Sequence, residues 1–361
     1  MVIQLAVMLF AATTLLRYSL EPTTGDGVIL LCVLPIALIA MEYGIAGGTV
    51  AALASFVDFV IWDLATDAGT PPIGYATRGI AFLVLGLLVG RYATGALRRY
   101  DPGRLTLLHE LRRALRHGEL TLHYQPIADA GSHRIRSVEA LVRWRHPRRG
   151  LIPPVSFVPV VEESDLVWDF TAHTLNLALR QARAWRSCGI DLPIAVNLSS
   201  SVVTDPRLPE ELSGLLTRHR LPPSVLELEV TESAIMTDLD ASAAALAQLS
   251  ELGVGLIALD DFGTGHSSLA RLHALPIQRL KIDRMFVRRV TQDGDVTVIE
   301  AIIALAAKLG LTTTAEGVED AQTWERLAEL GCDTAQGYCL SRPVPAGELA
   351  AWIAQRELAQ A

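Results

Sequence analysis

The sequence predicts two architectures in series, an all-α transmembrane region of about four helices and then an α/β domain closed as a (β/α)8 barrel. Three observations predict them. Ionisable residues nearly vanish from the first ninety positions, apolar runs fill that stretch, and from about residue 105 short β-like runs alternate with amphipathic helical ones. The resulting limits are 1–95 for the transmembrane region, 96–104 for a juxtamembrane linker and 105–361 for the barrel.

The 361 residues are 50% hydrophobic and 19% charged, with a mean hydropathy of +0.33, too apolar for an ordinary water-soluble chain. Residues 1–90 carry only Arg17, Glu21, Asp26, Glu42, Asp58, Asp63, Asp67 and Arg78, eight ionisable groups against 62 in the other 271 positions. Four apolar runs occupy this region: Met1 to Leu16, Gly27 to Met41, Tyr43 to Trp62 and about Ala76 to Tyr92. Each is near the length a spanning helix needs, the second and fourth leaning on their flanks, where Arg78 and Arg91 can snorkel. The competing readings are buried helices of a globular core and, for the first run, a cleaved signal peptide. The latter fits poorly, because no Lys or Arg precedes that run and further apolar runs follow it. Gly44, Gly47, Gly48, Ala51, Ala52, Ala54 and Ser55 suit close helix packing. Arg91, Arg98, Arg99 and Arg104 follow the fourth run, whereas Asp63 and Asp67 lie in the 62–78 connection. By the positive-inside rule the C-terminal part is therefore cytoplasmic, and four spans place the N-terminus inside too.

With 31 basic and 39 acidic residues the net charge is −8, so no DNA or RNA partner is expected. Disorder is excluded by the apolar content. The cysteines, Cys32, Cys188, Cys332 and Cys339, form no CxxC pair and read as reduced and structural. The sequence lacks HExxH, GxxxxGK[ST] and GxSxG, which removes the main support for zinc-peptidase, P-loop and hydrolase-elbow chemistry.

Eight β-like runs follow: Leu120 to Ile127, Val138 to Trp144, Ile194 to Leu198, Val225 to Val230, Leu256 to Leu259, Arg279 to Ile282, Leu311 to Ala315 and Thr334 to Gln336. Between them lie amphipathic stretches such as Asp238 to Leu252, Val296 to Leu309 and Ala321 to Leu330, which stop at Gly253, Gly310 and Gly331. Eight strands alternating with helices over this length predict the barrel, with a doubly wound open sheet as competitor.

A barrel collects chemistry at the C-terminal ends of its strands. There the sequence offers Glu139 and Arg143 on the second strand, Asn197 on the third, Glu229 and Glu232 on the fourth, and Asp260 and Asp261 on the fifth. Lys281 and Asp283 follow on the sixth, Glu316 and Glu319 on the seventh, and Gln336 on the eighth. Taken singly, an acid after a strand is usually a helix cap or a solvated loop residue. Eight in one cleft would repel and be partly neutralised unless cations held them. Oxygen-only donors point to Mg²⁺ or Mn²⁺, and adjacent Asp260 and Asp261 could serve two ions in phosphoryl chemistry, with Lys281 and Arg143 beside a phosphate.

The segments YQPI (124–127), EALVRW (139–144), HPRRGLIPP (146–154), VNLS (196–199), ELEVTES (227–233), DDFGTG (260–265), LKID (280–283), AEGVE (315–319) and QGYCLSRP (336–343) closely resemble the EAL-domain family in order and spacing. The resemblance covers the chain from about residue 105 onward. It implies a TIM-like barrel with an antiparallel first strand, and a cytoplasmic phosphodiesterase that opens cyclic di-GMP to linear pGpG by in-line attack of metal-activated water. Residue by residue, it implies a first metal site at Glu139, Asn197, Glu229 and Asp260. The second involves Asp260 and Asp261, with Glu316 as ligand or general base. Lys281 is then the lysine that holds catalytic water. Gln125 and Arg143 become substrate contacts, and Gln336 a polar support of the site that can also meet substrate. Glu232 braces the loop after the fifth strand, and Asp283 and Glu319 match family acids that support the loops. The family usually has Tyr where this chain has His266; the surrounding Gly263, Thr264, Gly265 and Ser267 keep the turn chemistry.

The expected protein is thus a multi-pass protein of the bacterial inner membrane, with Mg²⁺ or Mn²⁺ as cofactor, as two ions, and cyclic di-GMP and membrane lipid as partners. A homodimer is expected, and a separate diguanylate cyclase, since no GGDEF-type sequence is present. The alternatives are a non-catalytic cyclic di-GMP receptor signalling through the membrane region, and a sensor whose barrel serves dimer contacts.

Overall fold

The computed structural model describes residues 8–9, 11–12, 14–15, 32–66, 70–99, 102–236, 238–263, 275–292 and 295–360. Most of the first apolar run, the start of the second, Asp67, and the segment with Thr264, Gly265, His266 and Ser267 lie outside the described residues. The chain divides into two compact units, Met1–Leu107 and Leu108–Ala361.

In the first unit, α1 (Val33–Thr66) and α2 (Pro72–Arg99) are the described helices long and apolar enough to cross a membrane, over Val33–Thr66 and Pro72–Tyr92. The sequence separates the second and third apolar runs; here residues 33–41 of the second and all of the third fall within α1, interrupted only at Gly44, whose backbone (φ 65°, ψ −149°) leaves the helix. Glycine tolerates that conformation because it has no Cβ. The small-residue stripe packs as its composition predicts. A Cβ on Gly48 would stand 2.2 Å from the Gly86 carbonyl oxygen, and one on Gly90 would stand 2.7 Å from that of Gly44. The α1 and α2 backbones therefore touch. Asp63, read as a loop acid, is instead buried inside α1 and accepts hydrogen bonds from the Thr70 and Tyr75 hydroxyls. A carboxylate can enter such surroundings only with donors to meet it.

The second unit takes in most of α3 (Pro102–His117) and contains strands β1 (Leu120–Asp129), β2 (Ile135–His146), β3 (Gly150–Ile152), β4 (Ile194–Leu198), β5 (Leu226–Thr231), β6 (Leu256–Phe262), β7 (Arg279–Ile282), β8 (Thr312–Ala315), β9 (Thr334–Ala335) and β10 (Val344–Pro345). Around them stand α4 (Val158–Glu162), α5 (Val167–Ser187), α6 (Ser200–Val203), α7 (Leu208–His219), α8 (Glu232–Met236), α9 (Leu239–Glu251), α10 (Arg284–Gln292), α11 (Thr297–Leu309), α12 (Ala321–Glu329) and α13 (Ala346–Gln360).

The strand order β1-β2-β4-β5-β6-β7-β8-β9 closes back on β1, so the sheet is a barrel and the open-sheet alternative falls. Every pair from β2 through β9 in that ring is parallel, whereas β1 is antiparallel to both its neighbours. β3 and β10 pair outside the ring, with β2 and β1 respectively.

Ile194, Leu226, Leu228, Val230, Leu259, Leu280 and Ile282 are wholly buried and form the centre of the hydrophobic core. Each such side chain contributes about 1.5–3 kcal/mol relative to exposure. Two helices are capped by the acid that precedes them, and one stops at a predicted glycine. Asp238 Oδ1 accepts from the Ala241 amide at 3.1 Å and Asp320 Oδ1 from the Thr323 amide at 2.7 Å, while Gly310 ends α11 in the left-handed region. None of the four cysteines forms a disulfide; Cys32 and Cys332 are buried, but Cys188 and Cys339 are exposed, so a structural reading fits only the first two.

Candidate active site

Parallel strands aim their C-terminal ends at one pole of the barrel, and the acids of β2, β5, β6 and β8 meet there around one ammonium group. Lys281, on β7, is fully buried, and its Nζ lies 2.7 Å from Glu229 Oε2, 2.5 Å from Glu316 Oε1 and 3.4 Å from Asp260 Oδ1. Glu139 joins through amides. Asn197 Nδ2 donates to Glu139 Oε1 at 2.9 Å, and Gln336 Nε2 donates to Glu139 Oε2 at 2.7 Å and to Gln125 Oε1 at 3.0 Å. Gln125, opposite Glu139 across the β1–β2 ladder, donates to the Ser341 carbonyl at 3.0 Å. Eight residues named from sequence thus gather at the mouth in two bonded groups, Lys281 with Glu229, Asp260 and Glu316, and Glu139 with Asn197, Gln336 and Gln125, which act on each other through the charges of Glu139 and Lys281.

The electrostatics follow from this crowding. Burial raises the Glu229 carboxyl well above the ordinary range, and Glu139, Asp260 and Glu316 raise it further against the pull of Lys281. Glu316 is pushed up to about 8 by burial and by Asp260 and Glu139. Burial alone would depress the Lys281 ammonium, but Asp260, Glu229, Glu316 and Glu139 outweigh it and keep the lysine firmly protonated. The cluster holds more acid than one cation can balance.

Asp261 sits beside it at a register irregularity in β6, with φ 55°, a left-handed backbone rare outside glycine. Burial, Asp260 and Asp283 raise its pKa to about 6. Arg143 is half-buried on β2 and donates to the Val142 carbonyl at 2.9 Å; burial lowers its pKa, and Tyr338 and Glu139 partly counter that. Glu232 opens α8 and accepts from the Gly263 amide at 3.2 Å, which ties the end of β6 to the end of β5.

Glu319 leaves the mouth, and Asp283 stands at its edge beside Asp261. Asp283 Oδ1 accepts from the Met285 amide at 2.7 Å at the start of α10. Glu319 is exposed and pairs with Arg288 at 3.0 Å. Gly317, at φ 66°, turns the chain so that the Val318 amide donates to the Gln336 carbonyl, and Glu319 emerges outside the cluster. The expectation of eight acids facing one mouth is corrected accordingly. Sequence reasoning also passed over an apolar cavity of about 330 Å³ beside Asn197, lined by Leu141, Val142, Pro154, Val158 and Phe170. The Pro153–Pro154 pair and the apolar 157–161 run were its only signals.

The donor set is oxygen-only and over-charged, which fits hard divalent cations. Gln336 Oε1 is buried with no partner among the described residues, a further unspent acceptor. No three Asp, Glu, His or Cys side chains among the described residues close on a common point as they stand; the Lys281 ammonium lies between them.

Comparison with known proteins places this geometry in a family. Residues 108–343 match the EAL domain. The bifunctional diguanylate cyclase/cyclic di-GMP phosphodiesterase MucR of Pseudomonas aeruginosa is 47% identical over 253 residues, 70% of this chain and 37% of that protein. The cyclic di-GMP phosphodiesterase NbdA of the same organism is 42% identical over 247 residues, 68% of this chain and 31% of that protein. The chain therefore spans about a third of the length of these curated relatives. Among solved structures, the P. aeruginosa MucR phosphodiesterase in complex with c-di-GMP superposes with a TM-score of 0.65 at 46% identity, covering 68% of this chain and 99% of that one. The EAL enzyme Bd1971, bound to cAMP and cyclic di-GMP, gives a TM-score of 0.66 at 30% identity over 76% of each chain. With its domain matched over residues 108–343 and its barrel shared with these structures, the chain belongs to the EAL domain family.

Proposed function

We propose that this chain is a divalent-metal-dependent phosphodiesterase that hydrolyses cyclic di-GMP to linear pGpG. The observation that carries the reading is the meeting at the barrel mouth of two polar groups, Lys281 with Glu229, Asp260 and Glu316, and Glu139 with Asn197, Gln336 and Gln125. A 46%-identical barrel solved with c-di-GMP supports the substrate.

Glu139, Asn197, Glu229 and Asp260 would hold one cation, and Asp260, Asp261 and Glu316 a second. Bound cations supply charge neutralisation at the phosphate and lower the pKa of an attacking water. Asn197 suits the first site because its amide nitrogen is committed to Glu139, which leaves its carbonyl oxygen to coordinate. The Glu316 carboxylate, beside Lys281 Nζ, takes the proton of the attacking water. The Lys281 ammonium orients that water and offsets charge that develops on the phosphate. Gln125 on β1, Arg143 on β2 and Gln336, just after β9, would meet the substrate, and Glu232, Asp283 and Glu319 support the surrounding loops.

The domain limits proposed are 1–95, 96–104 and 105–361. The apolar helices anchor the protein in the bacterial cell membrane as a multi-pass protein in contact with lipid, with the barrel in the cytoplasm; α1 and α2 support this by length and composition. A homodimer and a separate diguanylate cyclase supplying substrate belong to the same reading.

The test is turnover. Full-length protein in detergent, given Mg²⁺ or Mn²⁺ and cyclic di-GMP, should release the linear dinucleotide on chromatography, and Glu139→Ala should abolish this. Tight binding without cleavage under both metals would instead establish a receptor, and unchanged turnover in Glu139→Ala would refute the site.

A further inference from the structure

We propose that the barrel pole opposite the acidic mouth carries a second site, for a small organic anion with a carboxylate or phosphate head and an apolar body. Three segments build it: the β1–β2 turn, the connection between α5 and β4, and α13. They enclose a cavity of about 220 Å³ with Ile135, Ile190 and Ile353 in its wall and His133, Arg134 and Arg356 at its polar side.

The cationic groups carry the argument. Arg356 packs its guanidinium 5.3 Å from the Trp352 ring centroid, and its Nε is buried with no hydrogen-bond partner among the described residues. A buried guanidinium donor without an acceptor is costly and seeks one. Arg134 forms no ion pair among the described residues, and its side chain stands on the same cavity. The acid in this wall, Asp191, is already engaged with Arg186 at 3.0 Å. An adjoining cavity of about 100 Å³ shares His133 and Arg356 and adds Glu325. The larger cavity therefore has the cationic excess.

The turn that presents these groups is preset. His133 has φ 56° although it is not glycine, and its ring stacks on Trp324 at 5.1 Å and 14°. Trp324 is in turn fixed by its Nε1 donating to the Ala130 carbonyl at 2.9 Å. A forked guanidinium beside an apolar wall recognises a carboxylate or phosphate on a hydrophobic body. This site shares no residue with the mouth, and the inference stands whether or not the chain is a phosphodiesterase.

The experiment uses full-length protein in detergent with chelator, so that the mouth stays acidic and repels anions. Phenyl phosphate and benzoate are titrated calorimetrically, with phenol as the neutral control. Both anions should bind at least tenfold more tightly than phenol, and the double variant Arg134→Met/Arg356→Met should lose at least tenfold in affinity. Equal binding of phenol, no binding of either anion, or undiminished binding by a folded double variant overturns the proposal. If the double variant fails to fold, labelling decides. In the unsubstituted protein phenyl phosphate should shield Arg356 and Arg134 from phenylglyoxal, read by peptide mass spectrometry, and labelling unaffected by phenyl phosphate refutes the site.

Discussion

Replacing Lys281 by methionine removes one buried positive charge from among three carboxylates while roughly preserving volume. In the parent, Nζ stands 2.5, 2.7 and 3.4 Å from Glu316, Glu229 and Asp260. At an effective dielectric constant of about 20, an ionised carboxylate at such a distance is worth roughly 5–7 kcal/mol of Coulomb attraction to the ammonium before desolvation is subtracted. Desolvation cancels most of that, and measured losses on breaking a buried pair are about 3–5 kcal/mol. For a domain of this size 1 kcal/mol moves the melting temperature by about 2–4 °C, so Lys281→Met should melt roughly 6–20 °C lower in chelator. The deficit should shrink at pH 5, where protons replace the missing ammonium, and with added Mg²⁺. Thermal melts of the full chain in detergent, followed by circular dichroism, read all three conditions. A variant that melts with the parent in chelator, with no response to pH, would refute the view that this ammonium holds the acids together.

The remaining predictions use the same network and its supports. Without metal, the parent should lose stability as pH rises. Glu316 titrates near 8 in the fold against an ordinary 4.5, so the folded state keeps a proton that the unfolded chain has already lost. That contribution is complete below about pH 4.5 and fades as pH passes 8; melts in chelator at pH 5 and pH 8 should show the fall, and saturating Mg²⁺ should flatten it. Glu232→Ala should cost about 1–3 kcal/mol by stripping the Gly263 amide of its acceptor, with faster hydrogen exchange at Gly263 as the specific sign. Gly48→Leu should separate α1 from α2, because its Cβ would lie 2.2 Å from the Gly86 oxygen; a longer distance between spin labels on the two helices checks this, and barrel melting should not change.

Much of this site is legible in the sequence because barrel strands export their polar residues in order. Glu139, Asn197, Glu229, Asp260, Lys281 and Gln336 each lie in or directly after a short apolar run, and closure of the ring brings them together. What the sequence hides is set by single backbone events. The left-handed turn at Gly317 sends Glu319 out to Arg288, although its spacing from Glu316 reads as part of the same mouth. The irregularity at Asp260 and Asp261 decides which of two adjacent acids reaches Lys281, and no periodicity encodes it. In the first unit, Asp63 reads as a loop acid because donors seven and twelve residues away, Thr70 and Tyr75, become neighbours only after the hairpin folds.

The reversed direction of β1 decides where the chain enters the barrel. A parallel first strand would bring the chain in at the floor and leave the whole barrel height between any upstream segment and the chemistry. Here Leu120 pairs with Trp144 at the mouth end, and α3 arrives beside it. Glu119, at the hinge, accepts from Trp144 Nε1 at 3.1 Å and from Arg113 Nε at 3.3 Å, and its carbonyl receives the Arg145 amide at 2.8 Å. A twist or tug on α3 is thus delivered to the upper rim of β2, within a few residues of Arg143 and five pairs along the ladder from the Gln125–Glu139 pair. The incoming chain is thus tied directly to the rim of the acidic mouth, not to the barrel floor.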